Sequence, residues 1–387
     1  MRKRVFFYVQ HLLGIGHLRR AATLARALAA GGFDILLVSG GAPTEGLALE
    51  GARFHQLPPL RAADAGLKDL ARLDGTPLDE AFRANRTRRL LDLFRAEQPD
   101  VLMTEQFPFG RTQLRFELMP LLEAAQDLPS PPWIVSSVRD VVRRSASPAR
   151  VEEMVATFEA FDVLLIHADP ALVRFEESFP AWDEVKTRAL YTGYVADADP
   201  AHAPHGEVGK SGVGKGEVIV SAGGGAVGAP LLHAAIQARS MTPLADRRWR
   251  LLVGPNVPDA DQAALAKAAT ADILVEPARD DFPVLLANAA LSISQAGYNT
   301  VIETLCHADR AVLVPFGTAR ETEQADRARL LVERGMVASV PPNELSPASL
   351  AAAVATAWAG PSIRSFPPVD TRGGPATVAA LRQMVTP

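Results

Sequence analysis

The sequence predicts an α/β protein of two domains of similar size, and three observations carry that expectation. Short apolar runs rich in Val, Ile and Leu alternate with longer amphipathic stretches, the pattern of a parallel sheet with crossover helices. The alternation breaks once, over residues 193–217, where Gly, Pro, small and charged residues follow no apolar period and read as a linker. At 387 residues, 48% hydrophobic and 22% charged, the chain is long enough for two ordinary domains.

Strands are expected before the linker at Val5 to Val9, Ile35 to Val38, Arg53 to Leu57, Val101 to Thr104, Ile134 to Ser137 and Val163 to Ile166. Most are short runs rich in Val, Ile and Leu bounded by polar residues. Helical stretches lie between them at Leu18 to Ala30, Leu78 to Glu97 and Ala149 to Phe161. After the linker, strands are expected at Val218 to Ser221, Leu251 to Val253, Ile273 to Val275, Leu291 to Ile293, Ala311 to Val314 and Val337 to Val340. The expected organisation is an N-terminal domain over 1–192, the linker 193–217, and a second domain over 218–361. A tail over 362–387 ends in a helical stretch from Ala376 to Val385 that packs back on the first domain.

Composition narrows the function. A formal net charge of −4 gives no bias toward nucleic acid, so an anionic ligand must be met by local groups. One cysteine, Cys306, excludes an intramolecular disulfide and a cysteine-rich zinc site. Met1-Arg-Lys-Arg4 followed by Val5-Phe-Phe-Tyr-Val9 mimics a secretion signal. The apolar run, however, ends short of the roughly 7–15 residues such a signal needs, and it reads as a strand. No run approaches the roughly 18 apolar residues of a membrane span. A cytoplasmic protein is expected, with peripheral contact at the inner face of the membrane left open.

Two motifs look like chemistry and are discounted. Gly209-Lys-Ser-Gly-Val-Gly-Lys-Gly216 approaches a phosphate-binding P-loop, but Gly216 lacks the hydroxyl that holds magnesium and the loop precedes a strand. The carboxylate pairs Asp197/Asp199 and Asp259/Asp261 suggest a metal site. The first falls in the linker, and Asp259 follows Pro258 at a helix start, where capping explains it. No obligatory metal is expected.

Near the N-terminus, Leu13-Gly-Ile-Gly-His-Leu-Arg-Arg20 joins the first strand to a helix. Gly14 and Gly16 permit a tight turn and close backbone approach, as in a dinucleotide loop. Arg19, however, stands where such a loop wants its third glycine. The second strand ends in Val38-Ser-Gly-Gly41, with no acid for a ribose, because Asp34 lies at the other end of it. A nicotinamide cofactor is therefore disfavoured. His17 stands at the C-terminal edge of the sheet, where open α/β folds bind ligands, either as a general base or as a capping or solvated residue.

The second half offers two more turns of this kind. Val218-Ile-Val-Ser221 runs into the glycine loop Gly223-Gly224-Gly225, a bare backbone for an anionic group. Leu291-Ser-Ile-Ser294 leads through Gly297 into a helix opened by Tyr298, Asn299 and Thr300, whose N-terminus can cradle a diphosphate. Glu303, nearly one turn after Thr300, can accept ribose hydroxyls. Val314-Pro-Phe316 then leads to Glu323 and Gln324 at another helix start, where polar groups can read a sugar. Capping by Asn299 or Thr300 and a solvated face for the two glutamates is the plainer alternative.

In these residues the chain resembles the GT-B glycosyltransferases, specifically the family 28 group that includes the lipid-intermediate N-acetylglucosaminyl transferase of peptidoglycan synthesis. The resemblance is most specific in Ser294-Gln-Ala-Gly-Tyr-Asn-Thr-Val-Ile-Glu303, then in Val312-Leu-Val-Pro-Phe316 with Glu323-Gln324, and weaker at Gly14-Ile-Gly-His17. It implies two Rossmann-like α/β domains facing across a cleft. It also implies an inverting, metal-independent transfer from a nucleotide-diphosphate sugar, UDP-linked in the group, to an acceptor hydroxyl. Gly297 to Thr300 and the Gly223 to Gly225 loop would meet the diphosphate, Glu303 the ribose, Ala278 and Arg279 the base. Glu323 and Gln324 would lie on the donor sugar, with Arg320 near the leaving group. The family has paired glutamines where this chain has Glu323-Gln324.

His17 would be the catalytic base on the acceptor side. Beside it Gly14, Gly16, Arg19, Glu105, Arg111 and Arg115 are expected to meet the acceptor, which is lipid-linked or anionic. Arg20 is read as an acceptor contact or as helix surface. Arg83, Arg86, Arg88 and Arg89 form a basic run that either meets an anionic head group or is a solvated face. A nucleotide-sugar hydrolase, an epimerase and a non-catalytic sugar-nucleotide sensor are the rival readings.

Overall fold

A computed structural model of the chain describes residues 2–12, 14–63, 69–142, 147–196, 212–223, 227–255, 257–317 and 322–386. Two compact units divide it, residues 1–197 with 370–387, and residues 198–369.

The first unit opens with β1 (Arg4–Val9), α1 (Gly16–Ala30), β2 (Asp34–Ser39) and β3 (Arg53–Gln56). A small hairpin, β4 (Leu60–Ala62) and β5 (Leu70–Arg72), precedes α2 (Glu80–Glu97), β6 (Val101–Glu105), α3 (Arg115–Gln126) and β7 (Trp133–Val138). There follow α4 (Pro148–Phe158), β8 (Val163–Ile166), α5 (Trp182–Val185) and β9 (Ala189–Tyr191). The seven-stranded sheet runs β3-β2-β1-β6-β7-β8-β9, parallel throughout. Its order reverses between β1 and β6, the topological switch point at which open sheets leave a crevice beyond their strand ends.

Sequence accounts for the packing on both faces. Leu18, Ala21, Ala22, Ala25 and Leu28 recur at helical spacing along α1 and bury against Val5, Phe7 and Val9. The alternate β1 residue Phe6 turns to the other face and meets Phe94 of α2 edge-on at 5.4 Å. Helix α1 stops at Gly31-Gly32, where Gly32 takes a left-handed φ of 89°.

The second unit holds β10 (Val218–Ser221), α6 (Ala229–Ala238), β11 (Trp249–Val253), α7 (Asp259–Lys267), β12 (Ile273–Pro277) and α8 (Phe282–Asn288). Then come β13 (Leu291–Ser294), α9 (Tyr298–His307), β14 (Ala311–Leu313), α10 (Glu323–Glu333), β15 (Ala338–Ser339) and α11 (Pro347–Ala359). Its sheet runs β12-β11-β10-β13-β14-β15, again parallel, with the reversal between β10 and β13. The chain returns to the first unit at Asp370 and ends in α12 (Gly373–Val385). There Val378 and Leu381 bury into the core beside α1, each worth about 1.5–3 kcal/mol.

All twelve expected strands form. Hairpin β4–β5 and strand β9 were not expected. Asp259 begins α7 as its first residue, with Pro258 at the cap position, so it complements the helix dipole instead of capping with its side chain. Of the P-loop look-alike, residues 212–216 lead straight into β10, while 209–211 lie outside the described residues, as do Asp197 and Asp199.

Candidate active site

The first unit gathers its polar side chains at the switch point. Glu105 closes β6 next to the end of β1, and its side chain is fully buried. His17, in the first turn of α1, puts Nδ1 2.6 Å from Glu105 Oε1. One turn on, Arg20 donates to the same oxygen at 2.7 Å and to the Val138 carbonyl, at the end of β7, at 3.0 Å. A carboxylate facing Nδ1 accepts that proton, so the lone pair of the imidazole lies on Nε2. The His17 side chain remains 15% exposed. The crevice end of β1 therefore presents a basic nitrogen held in orientation from behind.

Charge tunes both partners. Burial pushes the Glu105 carboxyl up, but its interaction and hydrogen bond with His17, then the Arg20 and Arg111 guanidinium groups, outweigh burial and keep it far below the usual carboxylate range. His17 moves well down from 6.5, first through burial and then through the Arg139 guanidinium, which together outweigh Glu105. A neutral imidazole next to an ionised carboxylate is the resting state of a general base.

A second buried network holds the crevice end of β1. Arg86 on α2 is wholly buried and pairs with Glu117 of α3 at 2.6 Å. It also donates to Gln10 Oε1 at 2.9 Å and to the Gly40 carbonyl at 3.0 Å. Gln10 in turn donates to the His11 carbonyl at 2.7 Å. A Cβ at Gly40 would lie 2.1 Å from both Arg86 Nη2 and Gln10 Oε1, so only glycine fits there.

Several expectations are corrected here. Glu105 is not an acceptor contact, because its carboxylate is buried and its Oε1 is taken by His17 and Arg20. Arg20 is neither surface nor acceptor contact but the buried counter-ion of Glu105. Arg115 turns to α4, bonding Thr157 Oγ1 at 2.8 Å and pairing with Glu153 at 3.3 Å. Arg86 leaves the basic run for the core, while Arg88 and Arg89 are exposed.

Other first-unit positions sit at the crevice end. Arg111, half-buried with a left-handed φ of 59°, donates Nε to the Gln10 carbonyl at 2.9 Å. Gly14 is exposed, and a Cβ on Gly16 would come 3.2 Å from Arg139 Nη2. Arg19 is exposed on α1. Gln10, His11 and Arg139 are residues that sequence reasoning missed.

The second unit gathers its own candidate residues at its own switch point. Gly223 follows β10 with a φ of 67° and open space where a Cβ would be; Gly224, Gly225 and Arg320 lie outside the described residues. Gly297 is the N-cap of α9, again with open space at its Cβ position. Asn299 and Thr300 sit inside the first turn, so neither caps the helix, and both are half-buried, as is Glu303. The Tyr298 ring is corrected to a core position at 2% exposure, leaving the backbone N–H as the group it offers. Ala278 is exposed and ties back through its N–H to Val253 at 2.9 Å. Arg279 is committed to Asp281 at 2.7 Å. Glu323 and Gln324 open α10, with Gln324 Oε1 accepting the Phe316 N–H at 3.0 Å. Cys306 packs half-buried in α9, its thiol pushed up to about 12 by burial and by Glu303.

Among the described residues no group of three or more His, Cys, Asp or Glu is arranged to hold a metal ion, and no helix is long and apolar enough to cross a membrane.

Comparison with known proteins gives this arrangement relatives. Residues 219–362 match the glycosyltransferase family 28 C-terminal domain. A UDP-N-acetylglucosamine--N-acetylmuramyl-(pentapeptide) pyrophosphoryl-undecaprenol N-acetylglucosamine transferase of Brucella anthropi is 37% identical over 134 residues, 33% of this chain and 35% of that protein. The protein of that name from Granulibacter bethesdensis is 28% identical over 184 residues, 45% of this chain and 46% of its own length. The chain thus spans between a third and a half of these curated relatives. Among solved structures, the calicheamicin glycosyltransferase CalG4 superimposes with a TM-score of 0.65 at 17% identity, covering 100% of both chains. MurG of Acinetobacter baumannii gives 0.61 at 16%, covering 99% of this chain and 100% of its own. The fold is that of the GT-B glycosyltransferases.

Proposed function

We propose, from a GT-B chain whose second unit carries a family 28 glycosyltransferase domain, that the protein moves a sugar from a nucleotide-diphosphate sugar to an acceptor hydroxyl. The observation that carries the reading is the turn at the end of β13. Gly297 caps α9 with open space around it, and Asn299, Thr300 and Glu303 follow on the first turns, inside the matched stretch.

In this reading the first-turn N–H groups of α9 take the diphosphate, since helix N-termini hold anions. Glu303 accepts the ribose hydroxyls of a UDP-linked donor, and Glu323 and Gln324 lie on the sugar. His17 Nε2 removes the proton of the acceptor hydroxyl. The oxygen then attacks the anomeric carbon from the face opposite the leaving group, the bond from that carbon to the diphosphate oxygen breaks, and the configuration inverts. Negative charge on the departing nucleoside diphosphate is met by α9 and Arg320, with no metal required. Arg111 and Arg139, both acting on the base through space, favour an acceptor that carries an anionic group. The relatives' names include a pyrophosphoryl-undecaprenol, and a lipid-linked diphosphate at the inner membrane face is such an acceptor.

The experiment is donor consumption with and without acceptor. UDP-sugars incubated with the protein in buffer are expected to survive, and to be consumed once lipid-linked or anionic hydroxyl acceptors are added. Fast turnover in water alone replaces this reading with a hydrolase. Thr300→Ala combined with Glu303→Ala is expected to weaken UDP binding by about tenfold or more, as charged hydrogen-bond partners are lost. Unchanged affinity by calorimetry in a folded variant removes the donor site from α9.

A further inference from the structure

Helix α10 carries a buried cation that the proposed reaction does not use. Arg327 is 1% exposed. Its Nη1 donates to the carbonyl of Ala296 at 2.8 Å, and its guanidinium carbon lies 5.9 Å from the centroid of the Tyr298 ring. Ala296 and Tyr298 flank Gly297, the cap residue of α9, which has no side chain with which to cap the helix. The direction in which the first N–H groups of α9 point is therefore set by the backbone at 296–298, and α10 grips that backbone from behind.

The grip extends to a second loop. Gln324 lies three residues before Arg327, hence on the same side of α10, and its Oε1 accepts the Phe316 N–H beyond β14 at 3.0 Å. One helix face thus holds the loops after β13 and β14 in register. Burying a guanidinium costs more than burying a methionine of similar length unless its hydrogen bond matters.

We propose that Arg327 is a positioning residue for the donor diphosphate, fixing the Ala296-Gly297-Tyr298 turn so that the α9 N-terminus is preorganised before nucleotide arrives. The inference rests on the donor reading above. Preorganisation lowers the ordering cost of binding, so its loss appears in affinity.

The test uses the full chain with Arg327→Met and Arg327→Lys, UDP as calorimetric probe, and melting without ligand. The Met variant is expected to bind UDP about tenfold more weakly, the cost of one charge-assisted hydrogen bond. Lysine keeps a donor for Ala296 but loses the flat face against Tyr298, so Arg327→Lys falls between; it decides the matter if the Met variant does not fold. In turnover the donor KM rises by the same factor while kcat and the acceptor KM stay within about twofold. A merely stabilising arginine gives instead a lower melting temperature with unchanged Kd and KM, which overturns the proposal. A folded wild type that binds no nucleoside diphosphate brings down the donor reading itself, and this inference with it.

Discussion

Replacing His17 with Ala is expected to lower kcat by about 10²–10⁴-fold, the usual worth of a positioned general base, with UDP affinity unchanged. The Nδ1 proton is committed to Glu105, so the lone pair that remains is on Nε2 and nothing else on the first turn of α1 replaces it. The pH profile carries the same signature. Because the folded pKa of His17 lies well below 6.5, the ring is still neutral where a free histidine is half protonated, and the acid limb of kcat/KM lies below pH 6.5. Arg139→Gln removes one of the depressing charges and is expected to move that limb upward. The sign for stability is the same. As pH falls through 6.5 the unfolded chain takes up a proton that folded His17 refuses, so this residue's contribution is present above pH 6.5 and declines below it. A His17→Ala variant of full activity would remove His17 from the role of base.

Glu105→Gln is expected to cost both activity and stability. Removal of the charge leaves Arg20, 1% exposed, without its counter-ion, and breaking a buried pair from one side costs about 3–5 kcal/mol. Burial disfavours the charged carboxylate less than its cationic partners favour it, so the loss is electrostatic and the near-identical volume of Gln does not rescue it. The imidazole exchanges a charged acceptor for a neutral amide oxygen that Arg20 also uses, its tautomer is held less firmly, and kcat is expected to fall by about tenfold or more. The urea midpoint and kcat of the variant check the two effects together. A loss of stability with kcat intact would make Glu105 a structural anion only.

The central strands were legible because they are short apolar runs buried on both faces, and β1, β8 and β10 fell within a residue of their expected limits. Hairpin β4–β5 and strand β9 were not, since their residues, Leu-Arg-Ala, Leu-Ala-Arg and Ala-Leu-Tyr, include no β-branched side chain to mark a strand. Charged residues in the core were the main failure. Arg20 and Arg86 look like surface by type, yet Arg86, Leu90 and Phe94 recur every four residues on one face of α2, and all three are buried. That spacing was a signal available before any coordinates. Arg327 gave a similar one, between Gln324 and Leu331 along the buried side of α10. The partnership of His17 with Glu105 was not readable at all, because it joins residues 88 apart through the pairing of β1 with β6.

The central claim is that the second unit holds a nucleotide-diphosphate sugar at the end of β13. Its most direct test is calorimetric titration of the full chain with UDP in the presence of a chelator. Saturable binding at one site, weakened about tenfold or more in the Thr300→Ala, Glu303→Ala variant and unchanged in His17→Ala, is the result the account predicts. A folded protein that binds neither UDP nor any other nucleoside diphosphate would contradict it.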